Sequence, residues 1–361
     1  MSKYVILGGF LGAGKTTAMI AFAECYSKIG MTPAILVNDL GRENLVDGEY
    51  TASAAACCTD TITGGCICYQ TEELVSKLRR FRDTSKADII LSDIPGCGIG
   101  GLDHVYLRLA ENYPDEFSLC PFTAVADPER LRTIMPERAD INLPREMDFL
   151  FDAQMKEAEV ILLNKIDTLS PERKTECMEF LESTYHEAKV FAVSAKTGDG
   201  ISEAAEYIAG NSSSLARRDI GYGGEAFIAA EKRLSWYNRK FFAKSVSGTA
   251  ADANAFVSAL FERIRVSLTE IGRNVPHLKA FVTGAGRAFA KASLIGVDCE
   301  TVFDAAFDEP QSELRVILNA RAACESEVLE FLMDDAVRAV CAQFAFGYDV
   351  FYTECFGMAD S

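Results

Sequence analysis

Gly9-Phe10-Leu11-Gly12-Ala13-Gly14-Lys15-Thr16 matches the phosphate-loop pattern G-x-x-x-x-G-K-[ST] at every fixed position. Its flanks agree with it. Tyr4-Val5-Ile6-Leu7 predicts a short buried strand, and Thr17 to Tyr26 predicts a helix with Met19, Ile20, Phe22 and Ala23 on its apolar side. Glycines let the chain curl so that successive N–H groups point inward at phosphate oxygens, and the helix N-terminus adds the positive end of its dipole. Gly9, Gly12, Ala13, Gly14 and Thr17 are therefore expected against the nucleotide. Lys15 is expected to reach the β- and γ-phosphates, and the Thr16 hydroxyl to hold Mg²⁺.

Two further stretches narrow the nucleotide. Ala87 to Ser92 predicts an apolar strand ending in Asp93-Ile94-Pro95-Gly96. An aspartate there can hold Mg²⁺ through water, and the Gly96 N–H can meet a γ-phosphate, so this loop would tell triphosphate from diphosphate. Val160 to Leu163 predicts another strand, ending in Asn164-Lys165-Ile166-Asp167. The Asp167 carboxylate can accept from guanine N1–H and the 2-amino group. Adenine offers neither donor, which disfavours an ATPase. The aliphatic stem of Lys165 can cover the base. Lys189 to Val193 predicts a strand followed by Ser194-Ala195-Lys196, where a backbone N–H would meet guanine O6.

The chain between these motifs alternates strand and helix. Ala34 to Val37 reads as a strand with Asn38-Asp39 at its polar end, where Asp39 is a candidate for orienting water or holding a metal. Gly41 to Asp60 reads as a loop, Thr71 to Phe81 as an amphipathic helix, and Phe122 to Asp127 as a strand. The expected architecture is α/β: a P-loop NTPase domain over residues 1–210, with a mostly parallel sheet and helices on both faces. A linker is expected over 211–224, and a smaller α+β domain over 225–361. In that second domain Ala226 to Val246 reads as strand and Ala253 to Ile271 as helix. His277 to Thr283, Ala288 to Val297 and Leu314 to Asn319 read as strands, and Glu325 to Phe344 as a last helix.

A chain of 361 residues allows two domains, and 49% hydrophobic with 25% charged residues marks it as globular. A net charge of −17 argues against nucleic acid and anionic membrane as partners and favours cations. Met1-Ser2-Lys3 enters a strand at once and no apolar run is long enough to span a bilayer, so a cytoplasmic protein is expected. Its twelve cysteines are then reduced thiols, and where they cluster metal chemistry is favoured over disulfides.

Gly9 to Thr17, Val37-Asn38-Asp39, Gly64-Gly65-Cys66-Ile67-Cys68 and Asn164 to Asp167, in that order, resemble the CobW-like GTPases, relatives of the HypB and UreG metal-insertion GTPases. The resemblance covers about the first 210 residues. It implies a slow GTPase that binds GTP and Mg²⁺, carries a transition metal such as Zn²⁺ or Co²⁺, and helps place it in a target metalloprotein or cofactor enzyme. It also implies that members pair up or need a partner, so a homodimer is a candidate assembly. In the family a C-x-C-C motif carries metal. Here Cys66 and Cys68 match it and Tyr69 stands at the third position. The family usually has Glu where this chain has Asp93, and many zinc-linked members carry a His-rich tract. This chain has only His104, His186 and His277, widely separated.

Two thiolates do not close a tetrahedral site, so another ligand is required, from Cys97, Cys57, Cys58 or Asp39. Cys97 is the favoured one, because it directly follows Gly96. Two other functions stay open: a GTP-dependent activator of a cofactor enzyme, such as a corrinoid protein, without metal cargo, and a binding module that GTP merely orders.

Overall fold

In the computed structural model, residues 1–43, 45–136 and 143–357 are described. The chain divides into two compact units, Met1–Ala139 with Met147–Phe227, and Asp140–Glu146 with Ile228–Ser361.

The first unit begins with β1 (Ser2–Gly8), the phosphate loop and α1 (Lys15–Lys28). Next come β2 (Pro33–Asn38), α2 (Val46–Ala54), β3 (Cys58–Ile62), α3 (Thr71–Asp83) and β4 (Ile89–Asp93). A π-helical turn, Leu102–Tyr106, leads into α4 (Leu107–Asn112), β5 (Phe117–Leu119) and β6 (Thr123–Ala126). Then follow α5 (Pro128–Ile134), α6 (Glu146–Glu157), β7 (Val160–Leu163), α7 (Pro171–Thr184), β8 (Lys189–Ala192) and α8 (Ile201–Gly210).

The strands form one sheet in the order β3-β2-β4-β1-β6-β7-β8, with β5 beside the start of β1. Every pairing in it is parallel. The central strands are apolar and buried throughout, as a parallel sheet covered on both faces requires. Tyr4 and Ile6 of β1 join Leu74, Leu78 and Leu109 of α3 and α4 in one core. Alternation sends Val5 and Leu7 to the opposite face. There α1 packs along α8, with the Tyr26 hydroxyl donating to the Ala205 carbonyl. Leu7 lies opposite both Asp93 and Thr123, so the carboxyl ends of β4, β1 and β6 come level. The chain order reverses at β1, and ligands of open α/β sheets gather at such a point.

Helix α9 (Glu225–Glu231) spans the boundary, and the second unit goes on with β9 (Ser235–Ser245), α10 (Ala253–Glu270), β10 (His277–Thr283), β11 (Phe289–Leu294), β12 (Val302–Ala305), β13 (Glu313–Ala322), α11 (Ser326–Gln343) and β14 (Phe346–Gly357). Its sheet, β12-β11-β10-β13-β9-β14, is antiparallel at every pairing. Helices α10 and α11 bring Phe256, Leu260, Ile264, Leu329, Met333 and Val337 onto Tyr237, Phe241 and Leu318 of the sheet. Trp236 is fully buried, stacked on Phe356 with ring centroids 5.5 Å apart and the Arg321 guanidinium over its other side.

Two expectations are corrected. Residues 41–60 are not a plain loop, since they contain α2 and the start of β3. Ala226 to Val246 is not one strand, because α9 precedes β9. Residues 211–224, expected as a linker, make hydrogen bonds to the first unit. The Ser213 N–H donates to the Leu119 carbonyl, and Arg218 donates to the carbonyls of Lys156 and Ala158 within the first unit. Strands β12 and β14 were not foreseen, and residues 358–361 of the expected second domain lie outside the described residues. Among the described residues no helix is long and apolar enough to cross a membrane.

Candidate nucleotide and metal site

The phosphate loop leaves β1 at Gly9, where φ is +121° and a Cβ would stand 2.3 Å from the Val125 carbonyl oxygen. Only glycine fits there. The loop curls back so that the Lys15 ammonium donates to the carbonyls of Gly9 at 2.8 Å and Phe10 at 3.3 Å. Lys15 is thus folded over its own loop and buried. Gly12, Ala13 and Gly14 complete the curl, and Thr16 and Thr17 open α1.

The Thr16 hydroxyl donates to Asp47 Oδ1 at 3.0 Å, at the first turn of α2. Asp93 ends β4 beside it, fully within the protein, and its Oδ1 accepts from the Asn38 N–H at 2.8 Å. Burial pushes the Asp93 carboxyl up to about 7. The Lys15 ammonium and the Asn38 N–H pull against that, while Asp47 and Asp39 add to it. Asp39 accepts from the Leu45 N–H at 3.1 Å. A hydroxyl beside three mutually repelling carboxylates, one of them buried, suits a hard divalent cation held by oxygen.

On the other side of β1 stands the N-K-x-D segment. Asn164 is clamped: its Nδ2 donates to the Ala13 carbonyl and its Oδ1 accepts from the Ala195 N–H, both at 2.9 Å. The Ala195 N–H expected for guanine O6 is therefore engaged by Asn164. Lys165, in the left-handed region at φ +62°, sends its ammonium to the Gly12 carbonyl at 2.8 Å and to Asp127 Oδ2 at 2.6 Å. Asp167 is exposed, with one oxygen accepting from the Ser194 hydroxyl at 2.7 Å. The Ser194 oxygen in turn accepts from the Thr197 N–H, and Lys196 is exposed beside it. The N-K-x-D segment and the phosphate loop are thus wired to each other through Asn164 and Lys165.

The loop after Asp93 lies against the phosphate loop. A Cβ on Gly96 would meet the Leu11 backbone nitrogen at 2.8 Å, so only a hydrogen allows this approach. Helix α6 grips the loop from the other side. Gln154 donates to the carbonyls of Gly96 and Gly98, and Glu157 accepts from the N–H groups of Gly100 and Leu102 at 2.9 and 2.6 Å. Burial pushes the Glu157 carboxyl up to about 7 against those two N–H groups.

The Cys66 and Cys68 thiols lie 2.8 Å apart, and the Cys68 N–H points at the Cys66 sulfur. Cys68 is buried, and its hydrogen bond with Cys66 together with burial drives its thiol well above the ordinary cysteine range. Tyr69 is 74% exposed, and its hydroxyl meets that of Tyr222, whose ring lies on His104. Cys97 is buried in the Pro95–Gly98 turn. Among the described residues no three Cys, His, Asp or Glu side chains converge as a metal site. The expected grouping of Cys97 with Cys66 and Cys68 is therefore not formed. The loop that carries Cys97 is held to α6.

The model of the CobW/HypB/UreG nucleotide-binding domain matches residues 3–192. The chain belongs to the CobW/HypB/UreG family. Over 194 residues it is 27% identical to the zinc chaperone CobW of Pseudomonas aeruginosa, a match that covers 46% of this chain and 49% of that protein. The chain thus spans about half the length of this curated relative. Zn(II)-bound YjiA GTPase from E. coli is similar over 94% of this chain and 98% of its own, at 14% identity and a TM-score of 0.36. HypB from Helicobacter pylori in complex with nickel is similar over 60% of this chain and 92% of its own, at 13% identity and a TM-score of 0.42.

Within this CobW/HypB/UreG chain the phosphate loop, Asp39, Asp93, Gly96, Asn164, Lys165, Asp167 and Ser194 all lie at the carboxyl edge of one sheet. Sequence reasoning missed Asp47, Asp127, Gln154 and Glu157. Asp127 had a signal, since Asp127-Pro128 is a helix-start pair, and its Oδ1 caps α5. The other three had none.

Proposed function

We propose that this chain binds GTP with Mg²⁺, hydrolyses it slowly, and uses the change of state to hold and yield a transition metal at Cys66 and Cys68. The recipient is a target metalloprotein or cofactor enzyme. Family membership supports a nucleotide-driven metal carrier. The observation that carries the reading is the Cys66–Cys68 turn hydrogen-bonded to the end of β2, beside Asp93 and the phosphate loop.

Each residue then has a task. Lys15 leaves the Gly9 and Phe10 carbonyls for the phosphates. Thr16 turns from Asp47 and, with Asp93, holds Mg²⁺, whose charge offsets that of the phosphates. The N–H of Gly96 reads the γ-phosphate. Asp167 accepts from the guanine edge, and Asn164 fixes the loop beneath it. Asp39 stands nearest the same carboxylates and is the candidate for orienting water. The thiol pair fits Zn²⁺ or Co²⁺ after a small opening, because sulfurs each about 2.3 Å from one tetrahedral ion stand roughly 3.7 Å apart. A two-thiolate site leaves positions for a recipient's ligands, which suits transfer.

A second reading has its own support. Tyr69 stands where the family's third cysteine would be, bonded to Tyr222. That favours a GTP-dependent activator of a cofactor enzyme, without cargo. Anaerobic Co²⁺ titration in Mg²⁺–GTP and in Mg²⁺–GDP decides between them. Thiolate charge-transfer absorption that requires both cysteines, and tightens with GTP, supports the carrier. Binding of GTP with no thiolate signal in either state removes the cargo and leaves the activator.

A further inference from the structure

Asn38 is the last residue of β2 and 5% exposed. Its main chain and side chain face different partners. The main-chain N–H donates to Asp93 Oδ1 at 2.8 Å. The side-chain Nδ2 donates to the Gly65 carbonyl at 2.7 Å and towards that of Ile62 at 3.4 Å, and Oδ1 accepts from the Ile67 N–H at 3.0 Å. The partners fix the amide orientation, since a carbonyl needs the NH₂ and an N–H needs the oxygen. Gly65 and Ile67 are the residues on either side of Cys66. One amide therefore clamps the thiol turn from both flanks, while the same residue's backbone is tied to the buried carboxylate beside Lys15.

The turn has a pivot. Gly64 sits at φ +78° with open space where a Cβ would be. Its downstream end is anchored by Ile67, which is fully buried. The other route from the nucleotide, through the loop that carries Cys97, is gripped by Gln154 and Glu157 of α6 and forms no group with the two thiols.

We propose that Asn38 is the positioning residue that couples the nucleotide to the thiol pair. A shift of the Asp93 carboxylate moves the Asn38 N–H, and the side-chain amide carries that movement to Gly65 while Ile67 stays anchored. The Cys66–Cys68 turn then swings on Gly64. This inference rests on the reading of Cys66 and Cys68 as a nucleotide-gated site. It goes beyond it by naming the single residue through which gating passes, and coupling between the two sites is what its test measures.

The test is iodoacetamide alkylation of the full reduced chain, read at Cys66 by peptide mass spectrometry in Mg²⁺–GTPγS and in Mg²⁺–GDP. In the unsubstituted protein the two rates are expected to differ by about 5-fold or more. Asn38→Ala, which keeps the backbone N–H, is expected to bind both nucleotides and to alkylate at one rate in both. Asn38→Asp keeps the acceptor for Ile67 and loses the donor for Gly65. It is expected to shrink the difference, and it decides the matter if the alanine variant does not fold. A difference kept in full by both variants overturns the proposal, and so does equal reactivity in the unsubstituted protein. Failure of the metal reading appears separately, as absence of cobalt–thiolate absorption, because the alkylation assay contains no transition metal.

Discussion

Asp127 is 1% exposed and serves two structures at once. Its Oδ1 accepts from the N–H groups of Glu129 and Arg130 and starts α5, while its Oδ2 meets the Lys165 ammonium. Burial opposes its charge, but Lys165 and Arg130 outweigh that and hold its carboxyl below the ordinary aspartate range. Asp127→Asn keeps an oxygen for the cap and leaves the partly exposed Lys165 only the Gly12 carbonyl, and is expected to destabilise the fold by about 1–3 kcal/mol in urea unfolding. Asp127→Ala also loses the cap, worth about 1 kcal/mol more. Because the folded pKa is depressed, this stabilisation is present above the unfolded aspartate pKa and fades as pH falls through the folded one. For Asp167→Asn, preference for GTP over ATP in competition binding is expected to drop by roughly 100-fold, since a carboxamide no longer accepts from both guanine donors. Residues at this scale were legible where they belong to a short motif. Lys15 and Asp167 declare themselves by fixed spacing. Asp47 and Glu157 do not, because Thr16 lies 31 residues from Asp47, and Gly100 57 from Glu157.

Helix α6 shows what an element adds. Gln154 and Glu157 are three residues apart, so they share a face, and both point at the loop between Gly96 and Leu102. Glu157 carries a raised folded-state pKa of about 7, so the folded protein binds a proton that the unfolded chain has already released. Its favourable contribution is complete below the ordinary glutamate pKa and is lost as pH rises through about 7. Stability is therefore expected to fall between those limits, by about 3 kcal/mol at most for this group. Glu157→Gln should flatten that slope in a pH series of chemical denaturation. An unchanged slope would mean that the carboxyl stays ionised throughout. Elements with continuous apolar runs, such as β1 and β7, were plain from sequence. Helix α2 was not: Gly48 lies inside it, no side chain caps it, and its buried residues follow no clear helical stripe. Tertiary contact makes that helix. Strand β3, Cys-Thr-Asp-Thr-Ile, lies at the edge of the sheet and carries no apolar run to betray it.

For the whole molecule, 53 acidic against 36 basic side chains leave a net charge of −17. The exposed ion pairs, such as Arg79–Glu116 and Arg132–Glu129, are screened by solvent and contribute little. Overall repulsion then outweighs them, and the melting temperature is expected to rise as NaCl is raised from low ionic strength. A fall would mean that the pairs dominate. The division into a parallel α/β unit and an antiparallel unit was legible because the strand–helix alternation stops near residue 210. The strand order of the second sheet was not, since β14 and β13 both pair with β9 across 69 residues or more.

The stacked indole of Trp236 has one more consequence. It is the only tryptophan in the chain, and it sits in the unit that holds no phosphate-loop residue. Its emission, excited at the red edge where tyrosine is silent, reports from a single address. Sealed from water and lying between an aromatic ring and a guanidinium, the fluorophore emits in the blue when folded and shifts to the red on unfolding. A fluorescent guanine nucleotide reports from the other unit. One cuvette then follows the two halves of the protein by two colours, with no label attached to the chain.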